Sequence, residues 1–240
     1  MNTSLTMDLA IASQAASPEN AARQIEYVKV GDREVRIDIY GGGSQRPTIL
    51  LLHGAGGLLS DGALLRRMAR DLAQRDFRVC VVHYFNATGT LLATQAGTRE
   101  HFDEWRRAIQ AVAKHYAAES GGSVGVFGLS IGGVLAASAA ADTPEIEAIT
   151  IMAGGIMEGC DTDHVPEHVP AVLILHGDHD TKFPPDRAEA LARIVWHANG
   201  FVDTVMYPNE GHTFGARAEK DARRRVVEFF DARLGAGVYR

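Results

Sequence analysis

The sequence predicts an α/β fold with a doubly wound, mostly parallel sheet. Short, uninterrupted apolar runs are typical of strands that are covered on both faces. Five such runs occur along the chain, at 48–52, 77–82, 124–127, 148–152 and 171–175. Helical patterns lie between or after them, at about 61–75, 100–118, 131–141, 186–198 and 216–233. Alternation of strands and helices favours right-handed crossovers, with functional side chains at the carboxyl ends of the strands.

The predicted domain begins with an antiparallel hairpin. Ile25–Val30 and Glu34–Tyr40 alternate apolar and polar residues, and the pair Gly31-Asp32 between them is typical of a turn. No linker interrupts residues 25–240, and 46% of the chain is apolar, so we expect these residues to form one domain with a sizeable core. We expect the small and polar residues 1–24 to be a flexible N-terminal segment.

Composition argues against several classes of protein. The net charge of -6 and the pI near 5.9 disfavour nonspecific binding to nucleic acids or anionic membranes. The chain has no stretch of eighteen apolar residues and no basic leader, and Asp8 interrupts the one apolar run near its start. Cys80 and Cys160 give no disulfide framework. We therefore expect a cytoplasmic enzyme, and nothing in the sequence points to a particular oligomeric state.

A candidate nucleophile lies where the predicted strand 124–127 meets an alanine-rich helix. Gly128-Leu-Ser-Ile-Gly132 forms a G-x-S-x-G pattern between strand and helix, which is the context of a nucleophile elbow. The two glycines allow strand and helix to approach closely around a strained Ser130. Gly121–Gly125 contains a second match, centred on Ser123, but it precedes the strand and belongs to a turn. We interpret Ser130 as the nucleophile and Ser123 as a loop residue.

Acidic and histidine residues follow two later strands. Within His176-Gly-Asp-His-Asp180, a carboxylate could orient a catalytic imidazole, and we favour Asp180 over Asp178, the alternative, because Asp180 lies farther past the strand end. Asp178 is the more typical turn residue. His212 follows the predicted strand 201–207 and could accept the proton of Ser130. The chain order Ser, Asp, His, at spacings of 50 and 32 residues, strengthens this interpretation.

A glycine-rich loop, His53-Gly-Ala-Gly-Gly57, follows the predicted strand 48–52. Its backbone could donate one N–H to an oxyanion, and Ile131, the residue after the candidate nucleophile, could donate a second. A dinucleotide site is disfavoured because the third glycine of that motif would fall at Leu59 and no acidic residue closes the next strand. We expect His53 to pack behind this loop. Residues considered for the lining of the pocket are His53, Gly54, Gly56, His83 and Tyr84.

Several histidines and aspartates of the kind that bind metals lie close together in the sequence. Their spacing matches no zinc or di-metal pattern, so we expect none. The residues concerned are Asp161, Asp163, His164, His168, His176 and His179.

Taken in order, these motifs resemble those of the α/β-hydrolase superfamily, and most closely its dienelactone-hydrolase-like branch. The similarity runs from about Pro47 to the C-terminus. It rests on His53–Gly57, Gly128–Gly133, His176–Asp180 and Gly211-His212, with His83-Tyr-Phe85 and Phe183-Pro-Pro185 in support.

The resemblance implies an eight-stranded sheet, a triad of Ser130, His212 and Asp180, and an oxyanion hole formed by the amides of Ala55 and Ile131. True dienelactone hydrolases use Cys at the elbow, so the Ser here favours ester chemistry over a lactone substrate. About twenty residues lie where larger relatives insert a helical cap, so we expect no large cap and an open pocket between the segments 84–99 and 155–170.

The sequence therefore predicts a serine hydrolase that cleaves a small carboxylic ester through an acyl-enzyme and needs no cofactor. Two alternatives stay open: a thioester or peptide hydrolase or acyltransferase on the same scaffold, and a non-catalytic ligand-binding protein with this fold.

Overall fold

A computed structural model of the chain describes residues 24–160 and 168–235, and within them eight strands form one sheet. The order across the sheet is β1-β2-β4-β3-β5-β6-β7-β8. The strands are β1 (Gln24–Val30), β2 (Arg33–Gly41), β3 (Thr48–Leu52), β4 (Arg78–Val82), β5 (Val124–Leu129), β6 (Ile146–Met152), β7 (Ala171–Gly177) and β8 (Val202–Tyr207).

Strand directions confirm the predicted topology. β1 pairs with β2 and β2 with β4 in antiparallel fashion, whereas every pair from β4 to β8 is parallel. The hairpin of β1 and β2 turns at Gly31-Asp32, where Gly31 has a φ of 59° that favours glycine. Strands β3 and β4 are buried throughout, which explains their continuous apolar sequences.

Five α-helices cover the two faces of the sheet in the described residues: α1 (Gly57–Ala73), α2 (Gln95–Ser120), α3 (Ile131–Ala141), α4 (Pro185–His197) and α5 (Ala216–Leu234). Helices α2, α3 and α4 share one buried apolar cluster with the sheet, and α1 and α5 share the other. The sheet is therefore doubly wound, with a core on each side.

Two helices begin earlier than the sequence pattern indicates. Helix α2 starts at Gln95, and not near residue 100, because the Thr94 hydroxyl caps it by accepting from the Gly97 amide at 3.0 Å. Helix α1 starts at Gly57, and not near residue 61. The Asp61 carboxylate, one turn into this helix, accepts from the amide of Gly54.

The connection between β6 and β7 leaves the carboxyl end of β6 and enters the amino end of β7. Its described residues, 153–160 and 168–170, contain no helix, in agreement with the expectation that a large cap is lacking. The proposed flexible segment 1–24 falls almost wholly outside the described residues. No described helix is both long and apolar enough to span a membrane.

Candidate active site

Ser130 occupies the sharp turn between β5 and α3. Its backbone has φ of 55° and ψ of -120°, a conformation that a residue with a side chain rarely adopts. The Ser130 amide donates to the carbonyl of Met152 on the neighbouring strand at 2.9 Å, so the turn is anchored to the sheet. This geometry projects the Ser130 hydroxyl above the carboxyl end of the sheet, as expected for a nucleophile elbow.

Two glycines make this turn sterically feasible. A Cβ atom added to Gly128 would lie 2.2 Å from the carbonyl oxygen of Gly132, and one added to Gly132 would lie 2.5 Å from that of His53. Neither position can therefore hold a side chain without moving backbone. Ser123 lies at the other end of β5, which is about 20 Å away at the usual rise of a strand. The structure thus separates the two G-x-S-x-G matches.

His212 links Ser130 to Asp180. The Oγ atom of Ser130 lies 3.0 Å from Nε2 of His212, and Oδ2 of Asp180 lies 2.8 Å from Nδ1 of the same ring. Because the carboxylate accepts the Nδ1 hydrogen, Nε2 is left to accept the hydroxyl hydrogen of Ser130. The His212 side chain is 19% exposed and that of Asp180 is fully buried. A serine, an imidazole and a carboxylate thus form one hydrogen-bonded chain.

The position of Asp180 is fixed by its own turn. Its Oδ1 atom accepts from the amides of Lys182 and Phe183 at 2.9 and 2.8 Å, which leaves Oδ2 for His212. The buried His176 donates from Nε2 to the Phe183 carbonyl at 2.8 Å and so holds the same turn from below. Asp178 accepts instead from the Asn209 amide at 2.7 Å. The structure therefore brings Asp180, and not Asp178, to His212.

Two backbone amides are available beside Ser130. Among the described residues, the N–H groups of Ala55 and Ile131 have no hydrogen-bond acceptor. Ile131 is the first residue of α3, whose initial amides have no partner within the helix. Ala55 belongs to the loop after β3. The resemblance to dienelactone hydrolases implied these same two amides for an oxyanion hole.

A cleft of about 700 Å³ opens over Ser130 and His212. The glycine-rich loop supplies Gly54, Ala55 and Gly56 to its wall. Helix α1, the start of α2 and the loops that follow β6, β7 and β8 supply most of the remaining wall. Their contributions include Leu64, Ala93, Thr94, Gln95, Met157, Phe183 and Phe214. Apolar and hydrogen-bonding groups are thus both available to a bound molecule.

Three residues considered for the lining of the pocket lie behind it instead. The Tyr84 ring is fully buried and stacks on His53 at 4.2 Å, and its hydroxyl donates to the His53 carbonyl at 2.7 Å. His83 faces Asp38, with 3.0 Å between Nε2 and Oδ2. Residues at a strand end can point to either face of the sheet. His53 packs on Tyr84 behind the loop, as expected, and His83 points toward β2 and not into the cleft.

Burial sets the charge of His53. Desolvation lowers the pKa of this imidazole to about 4, although its hydrogen bond to the Gly54 carbonyl and the nearby charge of Asp61 partly oppose the effect. Nδ1 donates this hydrogen bond at 2.9 Å. His53 is therefore neutral near pH 7 and supports the loop as a packed ring.

Charged residues of the cleft were missed by the sequence reasoning. Arg67 and Glu219 line the cleft as a bidentate pair at 2.8 Å, and Asp61 and Lys182 line it separately. All except Lys182 lie on helices as ordinary polar-face residues, so the sequence carried no signal for Arg67 or Glu219. Lys182 lies within the Phe183-Pro-Pro185 turn region that follows Asp180, which could have drawn attention to it.

No group of three metal-ligating side chains occurs in the part of the chain that the structure describes. Asp161, Asp163 and His164, considered for a metal site, lie outside it. Of the described candidates, His176 is buried beside Asp180, with 3.6 Å between Nε2 and Oδ2. The side chain of His179 is 66% exposed.

Comparisons with known proteins find relatives that match much of this chain. The dienelactone hydrolase family matches residues 43–233. A curated protein of Yersinia pestis, provisionally named carboxymethylenebutenolidase, is 26% identical over 135 residues, which are 48% of this chain and 50% of that protein. The chain thus spans about half the length of the curated relatives it matches.

Solved structures share the fold over most of the chain. The dienelactone hydrolase of Anabaena variabilis superposes with a TM-score of 0.68 at 19% identity, covering 88% of this chain and 98% of that one. Thermogutta terrifontis esterase 2 gives 0.69 at 18% identity, covering 88% and 94%. The fold is therefore that of the α/β-hydrolases. With the family match extending over most of the sequence, the chain belongs to the dienelactone hydrolase family.

Proposed function

We propose that this hydrolase is a serine esterase that cleaves small carboxylic esters through an acyl-enzyme. The observation that carries the proposal is the hydrogen-bonded chain from Ser130 through His212 to Asp180, at the base of a cleft beside two unoccupied amides. Such a chain activates a hydroxyl nucleophile, since the imidazole can take the proton as the oxygen attacks.

In the proposed reaction, Ser130 Oγ attacks the ester carbonyl while Nε2 of His212 accepts its proton. Asp180 stabilises the imidazolium that forms. The amides of Ala55 and Ile131 donate to the oxyanion, and each such donor is typically worth about 3–4 kcal/mol of barrier. His212 then protonates the departing alcohol, and a water molecule activated by the same ring hydrolyses the acyl-enzyme. These steps use side chains, backbone and water, and need no cofactor.

Small esters suit the dimensions of the cleft. A volume of about 700 Å³ lies within the range of small-molecule sites, and its wall joins apolar side chains to a few polar groups. The family name points to a lactone as the other candidate substrate. Serine at the elbow, in place of the cysteine of true dienelactone hydrolases, favours an open ester.

Labelling with a fluorophosphonate probe tests the nucleophile. Phosphonylation is a chemistry that Thermogutta terrifontis esterase 2, a structural relative, undergoes with cyclosarin. We expect the wild type to be labelled, and also the control Ser123→Ala, in which Ser130 is unchanged. Ser130→Ala should not be labelled. Labelling of Ser130→Ala, or none of the wild type, would contradict the proposal.

Substrate class is tested by rates on matched compounds. An ester, a lactone, a thioester and an anilide of the same acyl group separate an esterase from a thioesterase or peptidase. We expect kcat/KM to be highest for the ester, and to be lost in Ser130→Ala. A higher value for the lactone or the thioester would reassign the substrate and leave the nucleophile in place.

A further inference from the structure

Asp61 brings a carboxylate close to the candidate nucleophile. Its Oδ2 atom accepts from the Gly54 amide at 2.6 Å, one helical turn into α1. The point at which a Cβ of Gly54 would lie is 3.0 Å from this oxygen and 3.2 Å from Cβ of Ser130. The carboxylate oxygen and the Ser130 side chain are therefore no more than about 6 Å apart. Asp61 also lines the cleft.

Little positive charge offsets this carboxylate. No ion pair joins Asp61 to a lysine, arginine or histidine among the described residues. The charge of Arg67 is matched by Glu219, with two contacts of 2.8 Å. The neighbouring His53 is neutral near pH 7 because burial lowers its pKa to about 4. Lys182 lines the cleft from the Asp180 turn, but its side chain is exposed, and water screens it.

A carboxylate at this place is costly for ester hydrolysis in general. Negative charge develops on the carbonyl oxygen in the transition state, and a second negative charge nearby opposes it. Its hydrogen bond to Gly54 orients the loop that carries the Ala55 amide, and an uncharged asparagine could form the same bond. The charge itself is thus available to discriminate between substrates.

We propose that Asp61 is a specificity-determining residue that disfavours esters with an anionic group near the scissile bond, so that the cleft selects neutral esters. The inference rests on the proposed esterase function and adds a substrate class to it. A substrate anion about 6 Å from the carboxylate would experience repulsion that lowers kcat/KM by about 3-fold in a water-like dielectric and about 100-fold at an effective dielectric constant near 20.

The experiment compares 3-acetoxybenzoate with 3-acetoxybenzamide, two aryl acetates of matched shape that differ in charge and hold it closer to the scissile bond than a para substituent would. The measured quantity is the ratio of kcat/KM for the anionic to that for the neutral ester. Asp61→Asn keeps an acceptor for Gly54 and removes the charge, so we expect the ratio to rise by about 3-fold to 100-fold. Intrinsic differences between the two esters cancel when the same ratio is compared across variants.

Lys182→Gln is the matched control for a charge of the opposite sign in the same cleft. The ratio for this variant should fall relative to the wild type. The fall should be smaller than the rise in Asp61→Asn, because Lys182 is exposed and water screens its charge. Lys182→Gln also removes the competing positive charge, so added salt should raise the ratio of this variant by screening Asp61. A ratio that stays within twofold of wild type in Asp61→Asn, or a Lys182→Gln ratio that falls with salt, overturns the inference.

The two proposals fail in different ways. If the wild type hydrolyses neither acetate, the esterase function is wrong and the inference fails with it. If it hydrolyses the neutral acetate and Asp61→Asn leaves the ratio unchanged, the inference alone is wrong.

Discussion

Replacement of Ser130 by glycine should make the protein more stable than replacement by alanine. Both variants lack the hydroxyl, so their difference isolates the Cβ atom at φ 55° and ψ -120°. A side chain held in such a sparsely populated region costs about 1–3 kcal/mol. The greater freedom of glycine in the unfolded chain offsets about 0.5–1 kcal/mol of this. We therefore expect Ser130→Gly to exceed Ser130→Ala by about 1 kcal/mol in the free energy of unfolding, the difference between the middles of these two ranges.

Urea denaturation followed by circular dichroism at pH 7 measures this difference. For a chain of this size, each kcal/mol corresponds to about 2–4 °C in Tm, so thermal scans give a second reading. Ala137→Gly is the control, since Ala137 lies within α3, where glycine should cost about 1 kcal/mol. If Ser130→Ala equals or exceeds Ser130→Gly in stability, the turn is not strained and the reasoning is wrong.

Two further changes test the electrostatics of the site. Asp180→Asn should lower kcat by about 10⁴-fold because an amide cannot stabilise the imidazolium of His212, whereas Asp178→Asn, which keeps an acceptor for the Asn209 amide, should retain kcat. Equal losses in both variants would contradict the assignment. His53 has a folded pKa of about 4, below the 6.5 of the unfolded chain, so the unfolded state binds the proton first. The contribution of His53 to stability should thus be complete above pH 6.5, and the free energy of unfolding should decrease by about 3 kcal/mol toward pH 4. His53→Gln should lack this decrease. If urea titrations give the two proteins parallel profiles of unfolding free energy against pH, the expectation is wrong.

Local patterns predicted the elbow because its constraints are local. A strand, two glycines around Ser130 and a helix follow one another within a dozen residues, and the steric clashes at Gly128 and Gly132 arise within that same turn or from the adjacent loop. The topology followed in the same way from runs of buried residues. For Asp180, the sequence could favour a residue past the strand end but could not show which of its oxygens would face His212.

Residues whose partners lie far along the chain were harder to predict. The helical pattern indicated a start near residue 61, and the sequence does not reveal that α1 begins four residues earlier and directs the Asp61 carboxylate to Gly54. His53 and Tyr84 follow buried strands, like functional residues, but stack on each other across 31 positions. The face of the sheet toward which a side chain points at a strand end depends on the residues that pack beside it. Those residues come from distant parts of the sequence.

The same long-range contacts explain why an amide remains available in the glycine-rich loop. The carbonyls of His53, Gly54 and Ala55 and the amide of Gly54 all have partners, which are the Tyr84 hydroxyl, the Gly57 amide, the Ala93 amide and the Asp61 carboxylate. Within 24–160 and 168–235, the Ala55 amide has no acceptor. A donor held in place by the bonds of its neighbours needs no reorganisation when an oxyanion forms, which is the condition for effective stabilisation. Asp61 therefore has two separable effects: its hydrogen bond orients this donor, and its charge limits which esters benefit from it.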